Sequence, residues 1–335
     1  VIGSHAYPDS FEWHVVDSLR YLGCTVELIH SHGSVSGISG FIDKSRRKAS
    51  DLLLREPERR IETRLMQRID RFSPEVILVL LGNEFSPKTA SLVRKRTRAP
   101  LVCWCQDQMT TLRRQYLLSC GYEAVFVKDR YMQDLFSRMT RTTPFYYLPE
   151  ACNPRMHRPI ELSGSDRETY GCDVMIAGTL YYYRQAILQQ LVQQLTGLSL
   201  KIWGSKPDWL VDRLPGRHMG RAVHGDDKVR AALSAKICLN TLHYAEVNGL
   251  NCRAFELAGC GGFQLVTRVP ALAEHFVPEA EVASFATIDE LVEKTAYYLE
   301  NPAAAAVIAE QGRMRAHRDH TYEHRLREIL RIALG

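Results

Sequence analysis

The sequence contains no Cys-x-x-Cys, no His-Glu-x-x-His and no Asp-x-Asp, so the spacings that most often hold zinc or another divalent cation are missing. No bound metal or cofactor is therefore expected. Gly-x-x-x-x-Gly-Lys-Ser/Thr is absent, which excludes a P-loop nucleotidase, and so is Gly-x-Gly-x-x-Gly, which argues against a nicotinamide dehydrogenase. Long hydrophobic runs are missing too. The longest, 76–81, 100–105 and 302–309, fall far short of a membrane span, which needs roughly 18 residues. No integral membrane segment is expected, and no basic stretch leads into an apolar one as a secretory leader would. The chain opens on Val1 rather than Met, so its natural start is expected upstream.

What is present is ordinary for a globular protein. The 335 residues are 45% hydrophobic and 24% charged, enough for two domains. Nine cysteines make an odd count, and several (Cys24, Cys103, Cys172, Cys238) sit among apolar neighbours as small hydrophobes, which suits a reducing cytoplasm. The net charge of +5 lies wholly in residues 1–150, which hold 22 Lys and Arg against 17 Asp and Glu. That excess suits an acidic acceptor or a membrane surface. It is too modest, and too free of reading motifs, to predict nucleic-acid binding.

Short apolar runs alternate with helical periods along both halves. Strands are expected at 1–3, 25–29, 76–81, 101–104, 124–127 and 145–148, with helices at 11–22, 44–72, 87–95 and 129–138. Residues 149–170 carry Pro, Gly, Ser and charge without a period and read as a connection. The alternation then restarts, with strands at 173–176, 198–203, 237–240, 263–266 and 282–285, and helices at 181–195, 228–235, 251–259, 287–300, 302–315 and 322–334. Strand–helix alternation predicts parallel sheets covered on both faces. The expected domains are 1–150, a linker 151–170, a second domain 171–320, and a C-terminal helix 321–335 that packs back on the first domain. Ligands of such sheets bind beyond the carboxyl ends of the strands.

The most informative segment runs from Asn248 to Gly262. Gly249 and Asn251 precede a helix with Arg253 in its first turn, and helix N–H groups beside an arginine suit a diphosphate. Glu256 lies one turn on, placed for a ribose or sugar hydroxyl; a structural Arg–Glu pair in an ordinary α/β unit explains the residues about as well. After the first strand of the second half, Gly178 permits a tight turn and Arg184 reaches back as a cation. Trp203 can wall a nucleobase or belong to the core. In the first half, His5 and Asp107 follow strands and are candidates to position or deprotonate an acceptor, or to serve structure alone. Glu84 has the same two readings. The basic cluster Lys44, Arg46, Arg47 and Lys48 lacks an aromatic face and reads as a solvated helix.

Several of these segments resemble one known family. Arg253-Ala-Phe-Glu256, Ala258-Gly-Cys-Gly-Gly262, the 289–299 helix and His320-Thr-Tyr-Glu-His-Arg325 are similar to the CgeB-like (spore-maturation) glycosyltransferases, among the group 1 glycosyl transferases of GT-B fold. Residues 173–184 and 235–240 share the likeness. The first half fits more loosely, at 10–12, 74–82, 104–107 and 147–151. The resemblance implies two Rossmann-like domains facing across a cleft. The first would hold the acceptor and the second a nucleoside-diphosphate sugar, most often a UDP-sugar, with transfer independent of metal. Arg184 and Arg253 would then meet the leaving diphosphate. Glu256 matches the second glutamate of the Glu-x7-Glu pattern of retaining enzymes, a ribose contact. Asn248 stands where the first would be; its amide can bond the donor sugar but brings no negative charge. Asn248 favours a rival reading, a GT-B-like protein that binds nucleotide sugar or glycan without turnover; another GT-B enzyme, such as a sugar-nucleotide epimerase, is a further alternative.

Overall fold

The computed structural model describes residues 1–3, 7–30, 57–80, 85–108 and 116–335. His5, Glu84 and the basic cluster from Lys44 to Lys48 lie outside the described residues, as does the 44–56 part of the expected long helix. In chain order the strands are β1 (Ile2–Gly3), β2 (Ile29–His30), β3 (Ile77–Val79), β4 (Leu101–Cys105), β5 (Ala124–Val127), β6 (Phe145–Tyr147), β7 (Cys172–Ala177), β8 (Leu200–Trp203), β9 (Ala235–Asn240), β10 (Gln264–Thr267) and β11 (Ala283–Phe285). The helices are α1 (Phe11–Tyr21), α2 (Pro57–Phe72), α3 (Pro87–Arg96), α4 (Arg130–Met139), α5 (Gly164–Tyr170), α6 (Tyr182–Gln194), α7 (Asp226–Ser234), α8 (Cys252–Cys260), α9 (Pro270–His275), α10 (Ile288–Glu300), α11 (Pro302–Asp319) and α12 (Tyr322–Leu334).

The chain forms two compact units. One holds Val1–Val127, Asp134–Tyr146 and Glu328–Gly335; the other holds Lys128–Gln133 and Tyr147–Arg327. Each is built on a parallel sheet, ordered β2-β1-β3-β4-β5-β6 in the first and β11-β10-β9-β7-β8 in the second. In the first, β4 is buried along its whole length, and Trp104 meets Phe11 of α1 edge-on at 4.9 Å. Ser10 starts α1 by accepting from the Trp13 N–H at 3.2 Å, and Ser86 starts α3 from the Thr89 N–H at 3.2 Å. Both serines follow the rule that a short hydroxyl side chain satisfies one of the orphan N–H groups of a first helical turn.

The second sheet shows why its strands read as continuous apolar runs. Along β7, Val174 and Ile176 join the core under α6 and α10, with Leu188, Leu191 and Leu291. Met175 and Ala177 point the other way, to Trp203, Val229, Ala232 and Leu257. A strand covered on both faces has no polar alternation to offer. Two short helices depart from the expectation. α5 falls inside the stretch read as a connection, opened by a capping box in which Ser163 accepts from the Asp166 N–H and Asp166 accepts from the Ser163 N–H. α9 occupies residues for which no helix was expected; its six residues are too few for a period to show.

Candidate functional site

Counted within its own unit, the second sheet has the order 2-1-3-4-5, so the strand order reverses between β7 and β9. Chains leaving the carboxyl ends of two such strands diverge to opposite faces and leave a crevice, the general ligand position of open parallel sheets. The two strands end at Ala177 and Asn240. Gly178 follows the first with φ +122°, a left-sided conformation that side chains rarely adopt. Its N–H donates to the Trp203 carbonyl at 2.7 Å. Gly204 lies so close that a Cβ there would be 2.1 Å from the Gly178 carbonyl oxygen. The ends of β7 and β8 are thus held close by two glycines, neither of which puts a side chain into the space above them.

Two guanidinium groups occupy the edge of that space. Arg184, in the first turn of α6, is 6% exposed. Its Nε donates to Thr241 Oγ1 at 2.9 Å, its Nη2 to the Thr241 carbonyl at 3.3 Å, and its Nη1 to the Thr179 carbonyl. Arg253, half-buried in the first turn of α8, comes from the other side. Nη1 of Arg184 and Nη1 of Arg253 each lie 3.1 Å from one point, the place a Cβ on Gly178 would occupy. Neither arginine has a carboxylate partner among the described residues. Burial, and then the like charge of Arg253, push the Arg184 pKa down to about 9, so the group stays charged at neutral pH while bearing the cost of both. A like-charged pair with no carboxylate beside it among the described residues is an arrangement that an anion stabilises.

The loop that carries Thr241 is held by the 128–129 segment. Asp129, fully buried, accepts from the N–H groups of Val247 and Asn248 at 3.1 Å each and of Tyr131 at 2.7 Å. Lys128 pairs with Glu246 at 2.6 Å, both side chains buried. Burial opposes the lysine's charge, but Glu246 and Glu150 outweigh it and its pKa is raised. Gly249 forms an isolated bridge with Asp129, and a Cβ there would lie 2.7 Å from the Lys128 carbonyl oxygen. Gly249 is thus a point of close backbone approach. Sequence reasoning missed Lys128 and Asp129 because their partners are more than a hundred residues away; two adjacent charges at a strand end were the only local signal.

The remaining expected residues divide. Asn251 caps α8 by accepting from the Ala254 N–H at 3.2 Å and exchanges amide bonds with Asn240 at 2.9 and 3.1 Å, so both its side-chain ends are engaged. Asn248 Oδ1 accepts from the Ala271 N–H at 2.7 Å, and its amide NH2 has no partner among the described residues. Glu256 is buried and paired at 2.8 Å with Lys228 of α7, a residue with no signal in its sequence neighbourhood. Trp203 is 3% exposed in the core, packed on Tyr170 with the Arg221 guanidinium over its ring, and its buried Nε1 has no hydrogen-bond partner among the described residues. Asp107 is exposed just past β4 in the first unit. The structure therefore brings Gly178, Arg184 and Arg253 to one point. Asn248 and Gly249 gather around Asp129, and Glu256 stands with Lys228.

A further side chain belongs to the same loop. His243 Nδ1 accepts from the Ala245 N–H at 3.2 Å, which places its ring proton on Nε2. Its pKa is lowered, first by burial and also by Arg184 and Lys128, against the opposing pull of Glu246.

Comparison with known proteins adds the following. Residues 184–331 match the family described as glycosyl transferase-like. No curated protein matches the chain. Among solved structures, HepE of Anabaena in complex with UDP-glucose is 13% identical, covering 98% of each chain with a TM-score of 0.65. A glycosyltransferase from Rickettsia africae is 11% identical, covering 99% of this chain and 97% of its own, also at 0.65. Sucrose-phosphate synthase from Thermosynechococcus elongatus is 12% identical, covering 84% and 79% with a TM-score of 0.58. The chain is a two-unit α/β protein with GT-B glycosyltransferases as its structural neighbours, and its residues 184–331 carry the glycosyl transferase-like sequence.

Proposed function

We propose that the protein is a glycosyltransferase that moves a sugar, of hexose type, from a UDP-sugar to an acceptor hydroxyl. The observation that carries this reading is the convergence of Arg184 and Arg253 on Gly178 without a carboxylate. In the reaction the bond between the anomeric carbon and the diphosphate oxygen breaks, and a bond from that carbon to the acceptor oxygen forms. The leaving UDP gains negative charge as the bond opens. Two guanidinium groups already aimed at one point meet that charge without reorganising, which is how electrostatic preorganisation lowers a barrier. Their charge takes the part that a divalent cation would play, so transfer is metal-independent. HepE, a neighbour of the same fold, is known in complex with UDP-glucose, which supports UDP as the carrier.

Asn248, whose amide NH2 has no partner among the described residues, is assigned to the donor sugar, and Glu256, held by Lys228, to the ribose. Asp107 is assigned the acceptor hydroxyl's proton. The Glu256 match supports a retaining course of the GT4 type. The segments around Arg253 and His320 support a CgeB-like subfamily, and nine free cysteines support a cytoplasmic setting. One observation favours the second reading, nucleotide-sugar binding without turnover: Asn248 spends its side-chain oxygen on the Ala271 N–H. Isothermal titration with UDP tests the main reading. Binding that weakens strongly in Arg253→Ala is expected; no binding by the wild type, or the same affinity in the variant, would refute it. Chromatographic detection of UDP released from UDP-glucose, with and without candidate acceptors, separates transfer from binding alone.

A further inference from the structure

The first turn of α6, which carries Arg184, opens with three consecutive tyrosines, and all three are exposed. Such a run is unusual at a helix start, where the N-cap Tyr181 makes no side-chain capping bond. Two further aromatic side chains stand over these tyrosines from separate loops. Trp209 is 61% exposed and meets Tyr182 at 5.2 Å with the rings tilted by 43°. Tyr244 is 71% exposed and meets Tyr183 at 6.1 Å and His243 at 4.1 Å. His243 in turn meets Tyr181 edge-on at 5.8 Å. Large aromatic side chains are ordinarily sequestered, and a connected group left in water marks a binding surface.

The chemistry around the rings narrows the occupant. All five of the exposed side chains, four tyrosines and one tryptophan, have a polar edge as well as an apolar face. A hydroxyl pair, Thr179 Oγ1 and Ser205 Oγ at 2.9 Å, lies exposed beside them. The loop that bears Trp209 is balanced in charge, Lys206 and Arg213 against Asp208 and Asp212. That lacks the basic collar an anionic lipid surface needs. The faces of aromatic rings are electron-rich and attract the polarised C–H faces of pyranose rings, while the hydroxyl groups of a sugar find partners along the polar edges. The surface is also continuous with the arginine site, since Tyr181 to Tyr183 and Arg184 share one helical turn.

We propose that Tyr181, Tyr182, Tyr183, Trp209 and Tyr244 form a carbohydrate-binding platform that holds pyranose rings of a glycan chain next to the diphosphate site. This rests on the reading of that site as a glycosyltransferase donor site. Trp104 and Trp203 are buried and Trp13 is half-buried, so Trp209 is the tryptophan most open to a soluble sugar.

The test titrates the full chain, with and without UDP, with maltotetraose and with cellotetraose while following tryptophan emission. At least one tetrasaccharide is expected to give a saturable change that disappears in Trp209→Phe. Calorimetric affinity for the same sugar is expected to weaken about five- to tenfold in Tyr182→Ala and in Tyr244→Ala, with UDP affinity unchanged. Three results overturn the proposal: no response to either sugar; a wild-type dimer in light scattering that the tyrosine variants dissociate, which would make the surface a self-interface; or binding to phosphatidylcholine vesicles that the variants lose. If UDP binds and the sugars do not, only the platform falls. If UDP fails to bind, the donor-site reading falls with it.

Discussion

Two pairs of cations in the second unit are treated in opposite ways. Lys128 and Lys228 each face a buried carboxylate, at 2.6 and 2.8 Å. Arg184 and Arg253 face each other. A charge taken from water needs a partner of opposite sign to offset its desolvation. The lysines have theirs within the fold, and they fasten loops and helices. The arginine pair has none among the described residues, and the proposed diphosphate would supply it. The difference teaches that burial of a cation does not by itself mark a site; two like charges converging on one point without a counter-charge do.

The comparison breaks first, and most visibly, at Lys228. Lys228→Met removes one buried cation from the Glu256 carboxylate. A loss of about 3–5 kcal/mol is expected in urea unfolding, the usual cost of halving a buried pair. Lys228→Met with Glu256→Gln should recover most of it, since two neutral groups need no counter-charge. A single variant as stable as the wild type would show that the pair holds nothing together.

Arg253→Ala is expected to behave in the reverse sense. UDP affinity should fall by about ten- to a hundredfold, the worth of a charge-assisted hydrogen bond of roughly 1.5–3 kcal/mol. Stability without nucleotide should stay level or rise, because the like charge that depresses the Arg184 pKa is gone. The measurement is urea unfolding with and without UDP. A variant destabilised as much as Lys228→Met would put Arg253 among the structural cations.

Gly178→Ala sharpens the same contrast through the backbone. At φ +122° an alanine is strained, by about 1–3 kcal/mol, and its methyl group would stand 3.1 Å from both arginine Nη1 atoms. Weaker UDP binding is expected together with a lowered melting temperature. Unchanged affinity would mean that the anion sits elsewhere.

How much of this was legible in the sequence depends on the range of the interactions. Both parallel sheets followed from apolar runs, since a doubly covered strand is hydrophobic at every position. Ser163-x-x-Asp166 was a readable helix start, overlooked because proline and glycine nearby suggested a connection. Arg184 and Arg253 stood out separately, each beside a glycine. Their meeting depends on β9 lying beside β7, a pairing that no local pattern encodes. Lys128 and Asp129 were invisible for the same reason, and so was the Lys228 partner of Glu256.

A third group of buried side chains is neutral, and acid turns it into the first kind without a partner. His320 Nε2–H donates to the His275 carbonyl at 2.7 Å while its Nδ1 accepts from Arg325 Nη2 at 3.1 Å. His275 Nε2 bonds the Tyr147 hydroxyl at 2.6 Å. Burial, and then neighbouring cationic groups, lower His320 to about 4; burial and then His320 lower His275 to about 3. In the unfolded chain both titrate near 6.5. Above that pH both states are neutral and stability is full. As pH falls below it, the unfolded chain takes up protons that the folded one refuses, so stability drops until the folded values are reached. The expected slope is about 1.4 kcal/mol per histidine for each pH unit at most. Urea unfolding at pH 7.5, 6.5 and 5.5 checks it. His320→Gln, which cannot take up a proton, should flatten the slope by about half. An undiminished slope in that variant would move the acid sensitivity to other groups and leave the Arg325–His320 bond as packing alone.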